Sequence, residues 1–253
     1  MAARGGGVSG GLAERGSFVS LVRVFEADPE LLDGLPANLA GRLRKAVTVE
    51  MVEIARGMSL LTMSSRASGE MLILLEGVLC YSQEVERRRG LDLLGPGEIV
   101  RPRTWEGGAR SSIVAPTSVR LGVLDDDFTQ LIQRFPVVGT NLMDRMASRS
   151  RALCDRLAIA RIPHLDDRVL ALLWHLSERW GSADEGGVLI RLRLSHDLLA
   201  DLACAQRPSI TGAIGRLRER GLLDRGPSGL WRLTACAVAL RATPPSRTAL
   251  AVA

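Results

Sequence analysis

The sequence predicts an α+β chain: an antiparallel β domain, then one long helix, then a small helical domain closed by a hairpin. Three observations carry this. Short apolar or alternating runs crowd together between Ala46 and Leu124, which reads as several short strands. From Val137 to Ile162 the chain runs at helical period without a proline. Between Ser195 and Gly221 two short helical stretches flank a tight turn.

At 253 residues and 46% hydrophobic content, the chain has the length and composition of one large or two ordinary globular domains. The net charge of +5 permits a polyanionic partner without requiring one. Nearly all the basic residues are arginine, Lys45 being the sole lysine. No run approaches the roughly 20 apolar residues that span a bilayer. The opening MAARGGGVSGG lacks the apolar stretch of a secretory signal, so a cytoplasmic protein with no membrane partner is expected. Cys80, Cys154, Cys204 and Cys236 are far apart with no C-x-x-C pair, which predicts unpaired, buried or half-buried thiols and no metal site.

In chain order, residues 1–17 read as a flexible start. SFVSLVRVFEADPELLDGLPANLAGRLRKAV carries apolar residues at helical spacing, with turns at Asp28-Pro29 and Gly34-Leu35-Pro36, and predicts short helices. The strand candidates are AVTVEMVEI, MLILLEGVLCY, LDLLGPGEIV, SSIVA and SVRLGVL. DDDFTQLIQRF opens with acidic residues suited to a helix N-terminus and stops at Pro136. The long helix that follows has Leu142, Met146, Leu153, Leu157 and Ala160 near one stripe, with Arg145, Arg149, Arg151 and Arg156 over much of the rest. Such a stripe suits either a seam with a twin helix or a side packed on the β domain. HLDDRVLALLWHLSERWG is a further amphipathic helix with Val169, Leu172, Leu173 and Leu176 inward, SADEGG a turn, and VLIRLRL a strand.

Ser195 offers a hydroxyl at an N-cap, with Leu198, Leu199 and Leu202 along one side of the helix it starts. Cys204-Ala205-Gln206 forms the turn. Pro208 falls in the first turn of the second helix, where a missing N–H is harmless. Ile210, Ile214 and Leu217 hold that helix inward and leave Arg207, Ser209, Thr211, Gly212 and Arg216 outward. Leu222-Leu223-Asp224, RGPSG and Leu230-Trp231-Arg232-Leu233 then read as a hairpin, completing a winged helix-turn-helix. A helix of this kind fits the DNA major groove, where arginine and hydroxyls reach bases and phosphates. Candidate DNA-binding residues are therefore Ser195, Gln206, Arg207, Ser209, Thr211, Gly212, Arg216 and the wing arginine Arg225, beside Arg218 and Arg220.

The order of parts, with DPELLDGLP, ILLEGVL, LGPGE and LLADLACAQRPSITGAIGRLRERGLL, resembles the CRP/FNR family from about Phe18 to Leu233. The resemblance implies a cyclic-nucleotide-binding-like β-roll over 18–136, a dimerisation helix over 137–162, a winged-helix domain over 163–241 and a flexible tail over 242–253. It implies a homodimer paired through Leu142, Met146, Leu153 and Leu157, reading two half-sites of double-stranded DNA about 34 Å apart. It also implies transcription regulation, activating or repressing, with a contact to RNA polymerase. Arg207 matches the family's usual specificity arginine, while Pro208 and Gly212 depart from its pattern, so a known operator cannot be carried over.

For an effector, Gly97-Glu98 and Arg110-Ser111 are similar to the family's ribose-binding and phosphate-binding elements. Val100 replaces a small residue, Pro102 removes an N–H, the loop RPRTWEGGA is longer, and the family's adenine-contacting hydroxyls fall on Leu153 and Cys154. These departures argue against cyclic AMP and leave open another small nucleotide bound by Glu98, Arg110 and Ser111, or no effector and no cofactor. Haem is disfavoured because His164, His175 and His196 all lie beyond the β domain and the long helix. A competing reading is a nucleotide-sensing protein-interaction module whose C-terminal domain does not read DNA. Catalysis is not expected, for the sequence has no phosphate-binding glycine loop, paired catalytic carboxylates or nucleophile with a histidine partner.

Overall fold

A computed structural model describes residues 20–62, 71–101 and 110–242. The expected flexible start, the loop holding Pro102 and Trp105, and the expected tail beyond residue 242 lie outside the described residues.

The first element corrects the sequence reading. Ser20–Arg23 is a strand, β1, rather than the start of a helix, and it pairs antiparallel with β2, Thr48–Ile54, from Ser20 opposite Met51 to Arg23 opposite Thr48. Four residues of alternating pattern carry too little periodicity to decide between the two states, and the free edge of β2 settles it. Helix α1, Val24–Ala27, a short 3-10 turn and α2, Ala37–Ala46, follow. The β domain then continues as β3 (Met71–Glu76), β4 (Leu79–Val85), β5 (Arg88–Leu94), β6 (Ile99–Val100), β7 (Arg110–Val114) and β8 (Val119–Leu124).

These strands form two antiparallel sheets, ordered β1-β2-β8-β3-β6 and β5-β4-β7. Ile54, Leu72, Leu74, Leu79, Leu94, Ile113 and Leu121 fill the space between them. The turn from β3 to β4 needs Gly77: its φ is +91, and a Cβ there would lie 2.3 Å from the Ser118 carbonyl oxygen.

Helix α3, Asp126–Arg134, is capped by Asp125, whose side chain accepts the Phe128 N–H at 3.0 Å. Helix α4, Pro136–Ala160, starts on a proline and runs 25 residues. Its first turns bury Val138 and Leu142 against Phe25, Leu31, Leu32 and Phe128. Leu142, expected on the outward seam, is therefore a core residue of its own protomer.

The C-terminal domain comprises α5 (Leu165–Trp180), β9 (Gly181–Asp184), β10 (Gly187–Ile190), α6 (His196–Leu202), α7 (Arg207–Glu219), β11 (Leu223–Arg225), β12 (Trp231–Thr234) and α8 (Ala235–Ala242). SADEGG is not simply a turn: Ser182 to Asp184 pair with β10, which ends at Ile190 and not at Leu194. Gly187 allows this hairpin because its φ is +136 and a Cβ would stand 2.1 Å from the Leu233 carbonyl oxygen.

The four-stranded sheet β11-β12-β10-β9 backs the helices over Val169, Leu172, Leu173, Leu176, Leu199, Ile210, Ile214, Leu217 and Trp231. This core reaches across to Leu91 and Leu93 of β5, so apolar packing joins the two domains. The cysteines are more exposed than expected. Cys80 is half-buried, but Cys154 lies on the outside of α4, Cys204 in the turn between α6 and α7, and Cys236 on α8, all three exposed and all unpaired. No helix among the described residues is long and apolar enough to cross a membrane.

Candidate functional site

The pair α6 and α7 is held by local chemistry that the sequence dictates. The Ser195 hydroxyl accepts the Leu198 N–H at 3.1 Å and caps α6. Cys204, at φ +51, turns the chain, and Ala205 N–H donates to the Ala200 carbonyl at 2.9 Å. Gln206 is the exposed N-cap residue of α7 and makes no side-chain cap bond. Ile210, Ala213, Ile214 and Leu217 are buried, which turns Arg207, Ser209 and Thr211 to solvent with Gly212 half-buried beside them.

The expected DNA-binding residues thus divide by what holds them. Gln206, Arg207, Ser209, Thr211 and Gly212 gather on the N-terminal half of α7. Arg207 pairs with Asp197 at 3.2 Å, with both side chains about two-thirds exposed, so the pair is worth little and the guanidinium is free to swing away. Arg216 is held further along: its Nε and Nη2 donate to the two Asp166 oxygens at 2.8 and 2.7 Å, fastening α7 to the first turn of α5. That bond holds the Asp166 carboxyl below the usual carboxylate range. Arg225 lies on the Trp231 ring, 3.4 Å from its centroid, and donates to the Gly229 carbonyl inside the wing. Ser195 is engaged as a cap.

Sequence reasoning missed His196. Its Nδ1 stands 2.9 Å from the Thr211 hydroxyl, and its ring stacks on Trp231 with centroids 6.0 Å apart. Its place directly after the cap residue was the one available signal.

A second candidate region is a cleft of about 520 Å³ where the β domain meets α4 and α5. Glu98 is buried there: Oε2 accepts the Gly95 N–H at 3.0 Å and Oε1 pairs with Arg179 of α5 at 2.6 Å. Arg179 also donates to the Pro96 carbonyl at 2.8 Å. Arg145 of α4 grips both oxygens of Asp28, one of them at 2.7 Å, and donates to the Gly97 carbonyl at 3.2 Å. The bond to Asp28 raises the Arg145 pKa further. Arginines of α4 and α5 therefore occupy the surroundings of Gly97 and Glu98.

Among the described residues, Ser111 is not part of the lining of the cleft that holds Glu98. Ser111 is half-buried and lies opposite Gln83 in the β4–β7 register, and the Arg110 side chain lies outside the described residues. Lower on α4, Arg149 and Arg156 hold Asp92 of β5 at 3.1 and 2.8 Å. An adjoining cavity of about 260 Å³ meets Arg156, His175, Trp180 and Leu202. Burial there lowers the His175 pKa, with Glu178 opposing the shift.

Beyond Leu142 the outward side of α4 is apolar. Met143, Met146, Leu153 and Leu157 are 71, 60, 38 and 68% exposed. With Ser150 and Ala160 they follow the alternating three- and four-residue spacing of a coiled-coil seam. Met143 was missed by the sequence reading and replaces Leu142 at the top of this stripe.

Comparison with known proteins agrees with this architecture. A Crp-like helix-turn-helix domain matches residues 167–236. The cyclic AMP receptor protein of Thermus thermophilus is 32% identical over 144 residues, covering 56% of this chain and 63% of that relative. The chain thus matches less than two thirds of its curated relative's length. Among solved structures, a CooA mutant from Carboxydothermus hydrogenoformans superposes with a TM-score of 0.62 at 14% identity, covering 76% of this chain and 87% of that one. A CRP/FNR family transcriptional regulator from Thermus thermophilus superposes with a TM-score of 0.54 at 25% identity, covering 76% and 97%.

A two-sheet β domain, a long connecting helix and a winged helix-turn-helix define the class of fold. Residues 167–236 carry the Crp-like helix-turn-helix domain, and the chain as a whole is similar to regulators of the CRP/FNR family.

Proposed function

We propose that this chain is a transcription regulator that binds double-stranded DNA sequence-specifically as a homodimer, and that cyclic AMP does not control it. The observation that carries the DNA-binding reading is the outward half of α7, where Arg207, Ser209 and Thr211 stand exposed beside a wing hairpin. The exposed α4 seam supports pairing with a twin helix, which would present two copies of α7 to one side of a duplex.

Independence from cyclic AMP is supported by Glu98. A ribose would have to share this carboxylate with the Gly95 N–H and with Arg179, and giving up the half-buried contact to Arg179 opposes ligand entry. Arg145 adds to this, because its guanidinium crowds the backbone of Gly97, 2.9 Å from where a Cβ would sit.

Selection of bound sequences from random duplex DNA, using the purified full chain without ligand, tests the reading. A two-fold site is expected. Calorimetry with cyclic AMP, run in parallel, is expected to show no heat of binding. Nucleotide binding without any enriched DNA sequence would instead favour the protein-interaction module.

A further inference from the structure

We propose that His196 fixes the Thr211 hydroxyl as a hydrogen-bond acceptor toward DNA, so that each recognition helix favours an amino-bearing base, adenine or cytosine, at the position Thr211 faces. This rests on the DNA-binding reading above and adds to it a positioning residue and a base class.

The Thr211 Oγ1 lies 3.1 Å from the Arg207 carbonyl oxygen and 2.9 Å from the His196 Nδ1. A hydroxyl has one proton and two lone pairs, and a carbonyl oxygen can only accept. Both contacts are satisfied in one way: Thr211 donates its proton to Arg207, and His196 carries a proton on Nδ1 and donates it to Thr211. One lone pair then remains on Thr211. In the major groove the donors that meet a lone pair are the amino groups of cytosine N4 and adenine N6, whereas guanine O6 and thymine O4 would face it lone pair to lone pair. An unrestrained threonine reads either kind of edge because its hydroxyl turns.

His196 is itself held in place. It begins α6 next to the Ser195 cap, and its ring lies 6.0 Å from the Trp231 ring at an interplanar angle of 23°. The indole is in turn pinned by its N–H, which donates to the Leu194 carbonyl at 3.0 Å, and Arg225 rests on it. Wing arginine, wing tryptophan, histidine and recognition-helix threonine thus form one connected run. The proton on a neutral imidazole goes to the nitrogen whose hydrogen bond demands it.

The test has two readouts. Nitrogen-15 NMR of the full chain without DNA, at a pH where ordinary imidazoles are neutral, reports the tautomer, with the His196 signals assigned by their loss in His196→Asn. The Nδ1–H form is expected, and the Nε2–H form would overturn the inference while leaving the DNA-binding reading intact. Random-duplex selection then compares the wild type with Thr211→Val, His196→Ala and His196→Asn.

The wild type is expected to enrich adenine or cytosine at one position of each half-site. Thr211→Val and His196→Ala should lower that preference about three- to tenfold there and nowhere else. His196→Asn should restore it, because an amide N–H can stand where Nδ1–H stood. The restoration guards against a merely structural effect of removing a ring stacked on Trp231. An unchanged base preference in Thr211→Val would overturn the inference. Failure of the wild type to enrich any sequence would overturn the DNA-binding reading, and this one with it.

Discussion

Replacing Leu157 by glutamate should dissociate the proposed dimer while leaving the protomer folded. Leu157 is 68% exposed in the isolated protomer and sits near the C-terminal end of the α4 seam. Full burial of a leucine is worth about 1.5–3 kcal/mol, so covering two thirds of one contributes about 1–2 kcal/mol per copy and about 2–4 kcal/mol for the symmetric pair. That corresponds to a dimer dissociation constant raised about 30- to 1000-fold, before the cost of bringing two carboxylates together is added. Sedimentation over a concentration series reads this directly. Arg151→Ala is the control, since Arg151 is exposed on α4 away from the seam, bonded to Ser148 at 2.9 Å. An unchanged dissociation constant for Leu157→Glu would refute the assignment of the seam.

Three further predictions concern the groups that hold the domains. Asp28→Asn removes the charge that opposes a largely buried Arg145 guanidinium and one of its two acceptor oxygens, and should lower unfolding stability in a denaturant titration by about 2–4 kcal/mol. His175 has a pKa pushed below its ordinary value by burial, so the unfolded chain binds the proton more readily and stability falls as pH drops through about 6.5. His175→Gln should flatten that slope in melting temperatures measured between pH 7.5 and 5, values taken on either side of an ordinary imidazole pKa near 6.5. Cys80, whose thiol burial pushes up to about 11, should alkylate far more slowly at neutral pH than the exposed Cys154, Cys204 and Cys236, as peptide mapping would show.

The parts legible in the sequence are those that local chemistry decides. Ser195 as a cap, Pro208 in the first turn of α7 and the spacing of Ile210, Ile214 and Leu217 fix the helix-turn-helix without help from distant residues. The order of β domain, long helix and winged domain was likewise readable from its changing periodicities. What was not readable depends on distant partners. β1 is a strand because β2 offers an edge. Leu142 and Met143 are neighbours in sequence, yet one packs on Phe25 and Phe128 and the other faces out, because successive residues of a helix point about 100° apart and distant elements decide which face of α4 lies on the body.

The same applies to the charged groups. Glu98 meets Arg179 of α5, and Arg216 meets Asp166 at the start of that helix, pairings between elements well separated in sequence that no local pattern announces. The Gly97-Glu98 motif likewise does not announce that Arg179 pairs with the acid.

Sequence-specific DNA binding without a ligand can be read from one titration. Fluorescence anisotropy would compare the full chain's affinity for its selected two-fold duplex with that for a scrambled duplex of equal length, in the absence of nucleotide. The selected duplex is expected to bind at least about a thousandfold more tightly at physiological salt. Equal affinities for the two duplexes would contradict it.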